Sequence, residues 1–197
     1  PAPNSGITKA ARSGWSATTA SPSARAKSAF ATGRGPRLLG FMQSYEENGV
    51  PMERWKVGAS TYETCLTRGA RLLRWKLDVP SGHREILFWP EGAPMDLDKI
   101  GPVRGGNPIL FPFMGRNYAD GEKFAWKAAD GVKRPMPQHG FARDSAFEIV
   151  ESGSKHAVVR MIQDARGRGC YPFAYDFRIR FDFLELFLRI TFEFENR

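Results

Sequence analysis

Two arginines and a histidine stand at the ends of short apolar runs in the middle of the chain. Arg104 lies in a Pro-Val-Arg-Gly-Gly sequence, and His139 and Arg143 lie in His-Gly-Phe-Ala-Arg. The planar guanidinium group suits carboxylate or phosphate oxygens, and imidazole binds or moves protons near neutral pH. Loop residues beside buried segments often contact ligands. We therefore expect a binding pocket formed by residues 102–143.

Each of these residues also has a purely structural interpretation. Arg104 and Arg143 could form ion pairs with nearby carboxylates, and His139 could cap a turn. The carboxylates within reach in sequence are Asp96, Asp98 and Asp144. The sequence alone leaves both interpretations open.

Length and composition predict one globular domain, with further residues that form a tail. The protein has 197 residues, of which 42% are hydrophobic and 13% aromatic, enough for a single core. We expect no transmembrane segment, because polar residues, glycine or proline interrupt every apolar run before the roughly 20 residues that span a bilayer. Cys65 and Cys170 are far apart, which excludes a zinc motif and a disulfide-rich scaffold but leaves a single bridge or two free thiols.

The positive charge is concentrated at the start of the chain. Six of the 29 basic residues and none of the 21 acidic residues lie in residues 1–45, so this segment carries six of the eight net positive charges. The remaining residues, 46–197, are close to neutral and have no basic stripe interleaved with aromatic side chains. We therefore expect no nucleic-acid binding.

Residues 1–45 form the first of two expected regions, an irregular basic arm rich in Ser, Ala and Arg. Residues 1–36 show neither helical nor strand periodicity, and their lack of acidic residues is typical of organelle transit peptides. We expect a chloroplast location, with the mitochondrion second. Because such a segment does not order by itself, residues 1–36 should either fold back on their own domain or contact a protein partner.

The second region, residues 46–197, has an all-β pattern without a long helix. Residues 84–90 (REILFWP) form a continuous apolar run that predicts a buried strand. Ile109–Phe113, bracketed by prolines, suits an edge or bent strand. Asp-Gly pairs predict turns within residues 117–132, and further strands are expected at 147–150 and 157–162.

The end of the chain changes its strand phase. Apolar residues occupy odd positions up to Phe183 and even positions from Leu184 to Phe194. A single strand of this length would be about 70 Å long, too long for the domain. A β-bulge could absorb the change. We expect instead a hairpin whose turn residues are missing between Phe183 and Leu184.

These motifs resemble the aldose 1-epimerase (mutarotase) superfamily, in particular its glucose-6-phosphate 1-epimerase-like branch. The resemblance runs over residues 57–197 and matches the N-terminal half of the family's domain. VRGGNPILFPFMGR at 103–116 and HGFARD at 139–144 carry it, with weaker support from RGA at 68–70, REILFWP and YPFAYDFRIRF.

The resemblance implies a partial β-supersandwich, with large antiparallel sheets packed face to face and a sugar cleft. The ligand would be a hexose or hexose phosphate, and anomer interconversion would need neither metal nor organic cofactor. By resemblance, His139 positions the substrate, while Arg104 and Arg143 line the cleft and bind phosphate.

Two features of the family are missing from the sequence. The family's acid histidine, in an HPYF-like motif, and its late base glutamate have no counterpart here; His156, Glu193 and Glu195 do not match them. We therefore expect sugar binding without catalysis by this sequence, and isomerase activity if a longer protein supplies the pair. The alternative is a non-catalytic accessory subunit of a large plastid complex, docked through its N-terminal arm.

Overall fold

Two antiparallel sheets organise the part of the chain that the structure, a computed structural model, describes, residues 40–197. The first sheet has five strands in sequential order. They are β1 (Phe41–Glu47), β2 (Val50–Val57), β3 (Ser60–Cys65), β4 (Arg71–Val79) and β5 (Gly82–Leu87). Because β1 pairs with β2 from Phe41 onward, residues 41–45 belong to the sheet and not to an irregular arm. The expectations for residues 1–36 lie outside the described residues.

Two small hairpins follow the first sheet. Their strands are β6 (Tyr118–Ala119), β7 (Glu122–Lys123), β8 (Ala125–Lys127) and β9 (Lys133–Pro135). Asp120-Gly121 forms the first turn, and Asp130-Gly131 lies in the second connection, as predicted from the sequence. The predicted strand at Ile109–Phe113 is wrong, because this segment forms only one isolated bridge, between Phe111 and Gly140.

The second sheet contains the last four strands, again in sequential order. They are β10 (Phe147–Ser152), β11 (His156–Met161), β12 (Tyr175–Phe183) and β13 (Leu188–Asn196). A six-residue helix, α1 (Ala165–Cys170), connects β11 to β12. His156 lies in a strand, as expected, and contacts Glu151 on the neighbouring strand at 2.7 Å.

Aromatic side chains join the two sheets into a sandwich. Trp55 of β2 stacks on Phe183 of β12, with ring centroids 4.3 Å apart, and Tyr62 of β3 packs against the same ring at 5.2 Å. All three side chains are fully buried, and burial of large aromatic groups contributes strongly to such a core. The expected all-β sandwich is confirmed.

A second, smaller core lies on the outer face of the first sheet. Met52 and Leu73 are buried there against Trp89 and Ile100. Residues 88–105 therefore pack as a long loop over the sheet. This packing holds the loop that carries Arg104.

The strand predicted at REILFWP is not buried. Strand β5 is the edge of its sheet, most of its residues are exposed, and Phe88 after it is 55% exposed. A continuous apolar run is therefore not sufficient evidence of burial on both faces.

The C-terminal hairpin exists, but its turn is present in the sequence, contrary to our prediction. Residues 184–187 form the turn, closed by a hydrogen bond from Leu184 N to Phe187 O at 3.0 Å. Phe183 pairs with Leu188, and Phe181 with Ile190. Odd positions of β12 thus share a face with even positions of β13, which explains the change of phase.

Within residues 40–197, no helix has the length and hydrophobicity needed to cross a membrane. Cys65 and Cys170 are both buried and unpaired.

Candidate functional site

A pocket of about 560 Å³ lies beside the ends of β4 and β5. Arg104, His139 and Arg143 all line it, so the structure brings the three sequence-predicted residues together. Arg71 and Gln138 line the same pocket and were not identified from the sequence. Its size is that of a typical small-molecule site.

Arg71 holds the loop that forms one wall. Its Nη1 donates to the carbonyl oxygens of Ile100 (2.6 Å) and Gly101 (3.0 Å). Its Nη2 donates to those of Val103 (2.5 Å) and Gly105 (2.6 Å). Four hydrogen bonds from one rigid guanidinium group, to carbonyls on both sides of Arg104, fix the main chain of this loop.

The Gly105-Gly106 pair allows this loop to lie against β4. Gly106 has φ +61°, and a Cβ there would lie well inside 3.0 Å of the Leu72 carbonyl oxygen. The Gly106 N–H donates to Phe88 O at 2.9 Å, and the Asn107 N–H donates to Leu72 O at 2.7 Å. Glycine is required here because the main chain both adopts a left-handed conformation and approaches a neighbouring strand closely.

His139 is held by hydrogen bonds to one residue, Gly115. The His139 N–H donates to Gly115 O at 2.8 Å, and the Gly115 N–H donates to His139 Nδ1 at 3.0 Å. In the neutral ring the hydrogen must therefore be on Nε2. The structural role considered for His139 thus uses Nδ1. Nε2 lies 3.2 Å from the carboxamide nitrogen of Gln138, and because both nitrogens then carry hydrogens, this contact does not give the Nε2 hydrogen an acceptor. A ligand oxygen in the pocket could accept it.

The backbone at His139 is unusual. His139 has φ +70° and the following Gly140 has φ +73°, a region that residues other than glycine adopt at a cost. The Phe141 N–H donates to Phe111 O at 2.9 Å. This close approach of two loops orients the segment that presents both His139 and Arg143.

Arg143 lies in a short 3-10 helix, Ala142–Asp144. Its Nε is 3.6 Å from Asp144 Oδ2, which is too long for a hydrogen bond, and among the described residues this buried nitrogen has no hydrogen-bond partner. The ion pair between Arg143 and Asp144, which the sequence left open, is therefore present only as a loose contact.

Arg104 is exposed and forms no ion pair with any residue of 40–197. Two of the carboxylates considered as its partners are engaged elsewhere: Asp96 with Lys99 at 2.9 Å and Asp98 with Arg68 at 3.5 Å. The guanidinium of Arg104 is consequently available to a ligand.

The pocket is electropositive. Its lining includes three arginines, Arg71, Arg104 and Arg143, and no Asp or Glu of residues 40–197. Burial, and next the positive charge of Arg143, lower the pKa of Arg71 to about 10, so Arg71 remains charged at neutral pH. An anionic group fits this environment.

The same lining limits the chemistry. His139 is the one imidazole among the lining residues of the described chain, and a carboxylate base is not among them. Residues 40–197 contain no cluster of three or more potential metal ligands from His, Cys, Asp and Glu. The guanidinium groups and the imidazole that line the pocket can bind and orient a polar ligand.

Solved structures of similar fold include the Slr1438 protein from Synechocystis sp. PCC 6803. It is 22% identical with a TM-score of 0.61, over 79% of this chain and 48% of that chain. A galactose mutarotase related enzyme from Lactobacillus acidophilus is 20% identical with a TM-score of 0.55, over 80% and 44% of the two chains. Galactose 1-epimerase from Lactobacillus acidophilus NCFM is 18% identical with a TM-score of 0.53, over 81% and 49%.

At these identities the similarity establishes the fold alone, and the chain spans about half the length of the structures it matches. The sequence model of the family described as aldose 1-epimerase matches residues 57–197. This match covers most of the sequence and contains every residue of the candidate site. The chain therefore belongs to the aldose 1-epimerase family.

Proposed function

We propose that the pocket binds a hexose or hexose phosphate, and that the protein acts in anomer interconversion as a hexose or hexose-6-phosphate 1-epimerase. The observation that carries this proposal is the convergence of Arg104, His139 and Arg143 on one pocket without a carboxylate in its lining. A neutral or anionic sugar is compatible with such a surface, whereas a cationic ligand is not.

The side chains suggest distinct roles. Arg104 and Arg143 bind phosphate or hydroxyl oxygens, because guanidinium groups donate two or more hydrogen bonds to one acceptor group. His139 donates from Nε2 to an oxygen of the sugar near the reacting centre. The bond to Gly115 keeps this donor in one orientation.

Anomer interconversion requires proton removal from the anomeric hydroxyl and protonation of the ring oxygen. His139 with its Nδ1 occupied by a backbone N–H serves as a positioning donor in this scheme. The base would be a carboxylate and the acid a second imidazole, and neither group lines the described pocket. Activity is accordingly a proposal for the whole protein, and sugar binding is the part assigned to these residues.

The test is anomer exchange of glucose 6-phosphate and galactose, followed by NMR on the natural full-length protein. We expect exchange above the spontaneous rate and a loss of about tenfold in His139→Asn, since losing one positioned hydrogen bond to the sugar, worth about 1.5 kcal/mol, lowers a rate by about that factor. Asn tolerates the positive φ of this position. His156→Asn, on a strand away from the pocket, is the matched control. A wild-type rate equal to the spontaneous rate would exclude epimerase activity.

The second candidate is a non-catalytic accessory subunit of a large chloroplast complex, with the mitochondrion as the second location. The lack of a carboxylate in the described pocket lining and the purely basic charge of residues 1–45 favour it. In this proposal residues 1–36 contact a protein partner. Deleting them should release the protein from the complex on native gels, and cross-links from Lys9 and Lys27 should reach another chain. Cross-links confined to the protein itself would argue against it.

A further inference from the structure

Arg71 is a buried arginine without a carboxylate partner in the described chain. Its exposed fraction is 1%, and its guanidinium hydrogen-bonds only to main-chain carbonyls of residues 100–105. Arg74, on the same strand, is bound instead by the carboxylates of Glu47 (2.9 Å) and Glu63 (3.0 Å). Buried charges are ordinarily paired. Arg74 has direct carboxylate partners, whereas the Asp144 carboxylate acts on Arg71 only through its charge, without a direct contact, so the positive charge of Arg71 is only partly compensated.

This partly compensated charge lies at the candidate site. Arg71 lines the same pocket as Arg104 and Arg143. Burial, and next the charge of Arg143, lower the pKa of Arg71 to about 10, against a smaller opposite effect of the Asp144 carboxylate. The Nε atoms of Arg71 and Arg143 are both buried without a hydrogen-bond partner in residues 40–197. Buried donors are rarely left unsatisfied. Three guanidinium groups at one pocket therefore favour a ligand that brings negative charge.

Arg71 also determines where Arg104 lies. The four carbonyls that it binds flank Arg104 on both sides in the sequence. The guanidinium carbon lies 5.0 Å from the centre of the Trp89 ring, which belongs to the core beneath the same loop. Since no lysine can reproduce a planar fork that reaches four acceptors, the loop depends on arginine at this position.

We infer that Arg71 is a positioning residue that makes the pocket selective for a sugar phosphate over the neutral sugar. It fixes the 100–105 loop so that Arg104 faces the ligand, and it adds a third positive charge behind Arg104 and Arg143. The ligand class is a phosphate monoester of a hexose, and the inference rests on the proposed function of the pocket.

The experiment compares Arg71→Met and Arg71→Lys with Arg74→Met in the full chain. Isothermal titration measures the Kd values for glucose 6-phosphate, inorganic phosphate and glucose. Hydrogen exchange follows the amides of Gly106 and Asn107, which are hydrogen-bonded beside the loop. Circular dichroism checks that each variant is folded. Arg74→Met is the matched control, because it removes another arginine of β4, one that is partly buried and donates three hydrogen bonds.

We expect the wild type to bind glucose 6-phosphate at least tenfold more tightly than glucose. Arg71→Met should weaken binding of glucose 6-phosphate and phosphate by about tenfold or more, with glucose changed less than about threefold. Arg71→Lys keeps the charge and loses the fork; it should retain part of the phosphate preference while amide exchange in the loop rises. Arg74→Met should keep the wild-type preference.

The outcomes separate the inference from the function it rests on. A wild type that binds neither glucose nor glucose 6-phosphate refutes the proposed function. The inference alone is overturned if the wild type binds glucose 6-phosphate and the Arg71 variants keep the preference for glucose 6-phosphate over glucose. It is also overturned if those variants lose affinity for both ligands equally. If Arg71→Met does not fold, the test rests on Arg71→Lys. Unchanged amide exchange in the loop and unchanged affinity for phosphate in this variant would overturn the inference.

Discussion

Replacing Gly140 with alanine should disrupt the site through a single methyl group. Gly140 has φ +73°, and a Cβ built there lies well inside 3.0 Å of Phe111 O and Pro112 N. Both atoms belong to the main chain, so the methyl group cannot be accommodated by a side-chain rotation. The loop that carries His139 and Arg143 must move instead.

The size of the effect follows from two contributions. An alanine at positive φ costs about 1 kcal/mol relative to glycine. Overpacking against fixed backbone typically adds about 1–3 kcal/mol. We expect Gly140→Ala to lower the free energy of unfolding by about 2–4 kcal/mol and to weaken ligand binding at the pocket.

Gly131→Ala is the control that isolates the steric contribution. Gly131 has φ +75°, almost the same as Gly140, but no heavy atom lies within 4 Å of its Cβ position. Urea unfolding of both variants gives the stability loss, and titration with glucose 6-phosphate gives the loss of affinity. Equal stability losses in the two variants, with affinity unchanged in Gly140→Ala, would refute the role assigned to this contact.

Two further changes test the sandwich itself. The Tyr62 hydroxyl donates to main-chain carbonyls of the turn 184–187, with oxygen–oxygen distances of 2.5 and 3.1 Å. Because Tyr62→Phe leaves these acceptors without their donor, it should lower the free energy of unfolding, measured with urea, by about 1–3 kcal/mol. A loss below about 0.5 kcal/mol would contradict this. Asp176 is hydrogen-bonded by Arg178, chiefly, and by Arg197, and its pKa lies below the ordinary 3.8. Its stabilising contribution is therefore present above about pH 4 and is lost as the pH falls through the lowered pKa. Asp176→Asn should be less stable than wild type at pH 7, and the difference should shrink below pH 3.8; a constant difference across pH would exclude this ion pair as the cause.

The sequence was informative where the relevant signal is local. His139 and Arg143 lie in one short motif, and Asp-Gly pairs marked hairpin connections because these residues tolerate positive φ. The phase change after Phe183 correctly indicated a hairpin. Its turn was missed because residues 184–187 read Leu-Glu-Leu-Phe and contain none of the usual turn formers.

Other features depend on contacts that sequence order does not show. Arg71 is important through carbonyls 29–34 residues away, and the weak signal available was a charged residue at the start of an apolar strand. The run Arg84–Pro90 was misinterpreted because its hydrophobicity does not reveal that β5 is an edge strand. Burial of this segment is decided by which neighbours the fold supplies.

The contact between β3 and the last turn has a consequence for the order of folding. In each sheet, strands that follow one another in the sequence are paired. Most of these pairings span short turns, the exception being the connection from β11 to β12 through α1, and such local pairings can form early. Tyr62 meets the turn across 122 to 125 residues of chain, so this closure carries a larger loop-entropy cost. We expect the two meanders to form first and their association to be the slow step. Because the Tyr62 hydrogen bonds can form only after the two sheets have met, Tyr62→Phe should mainly accelerate unfolding and leave the refolding rate nearly unchanged.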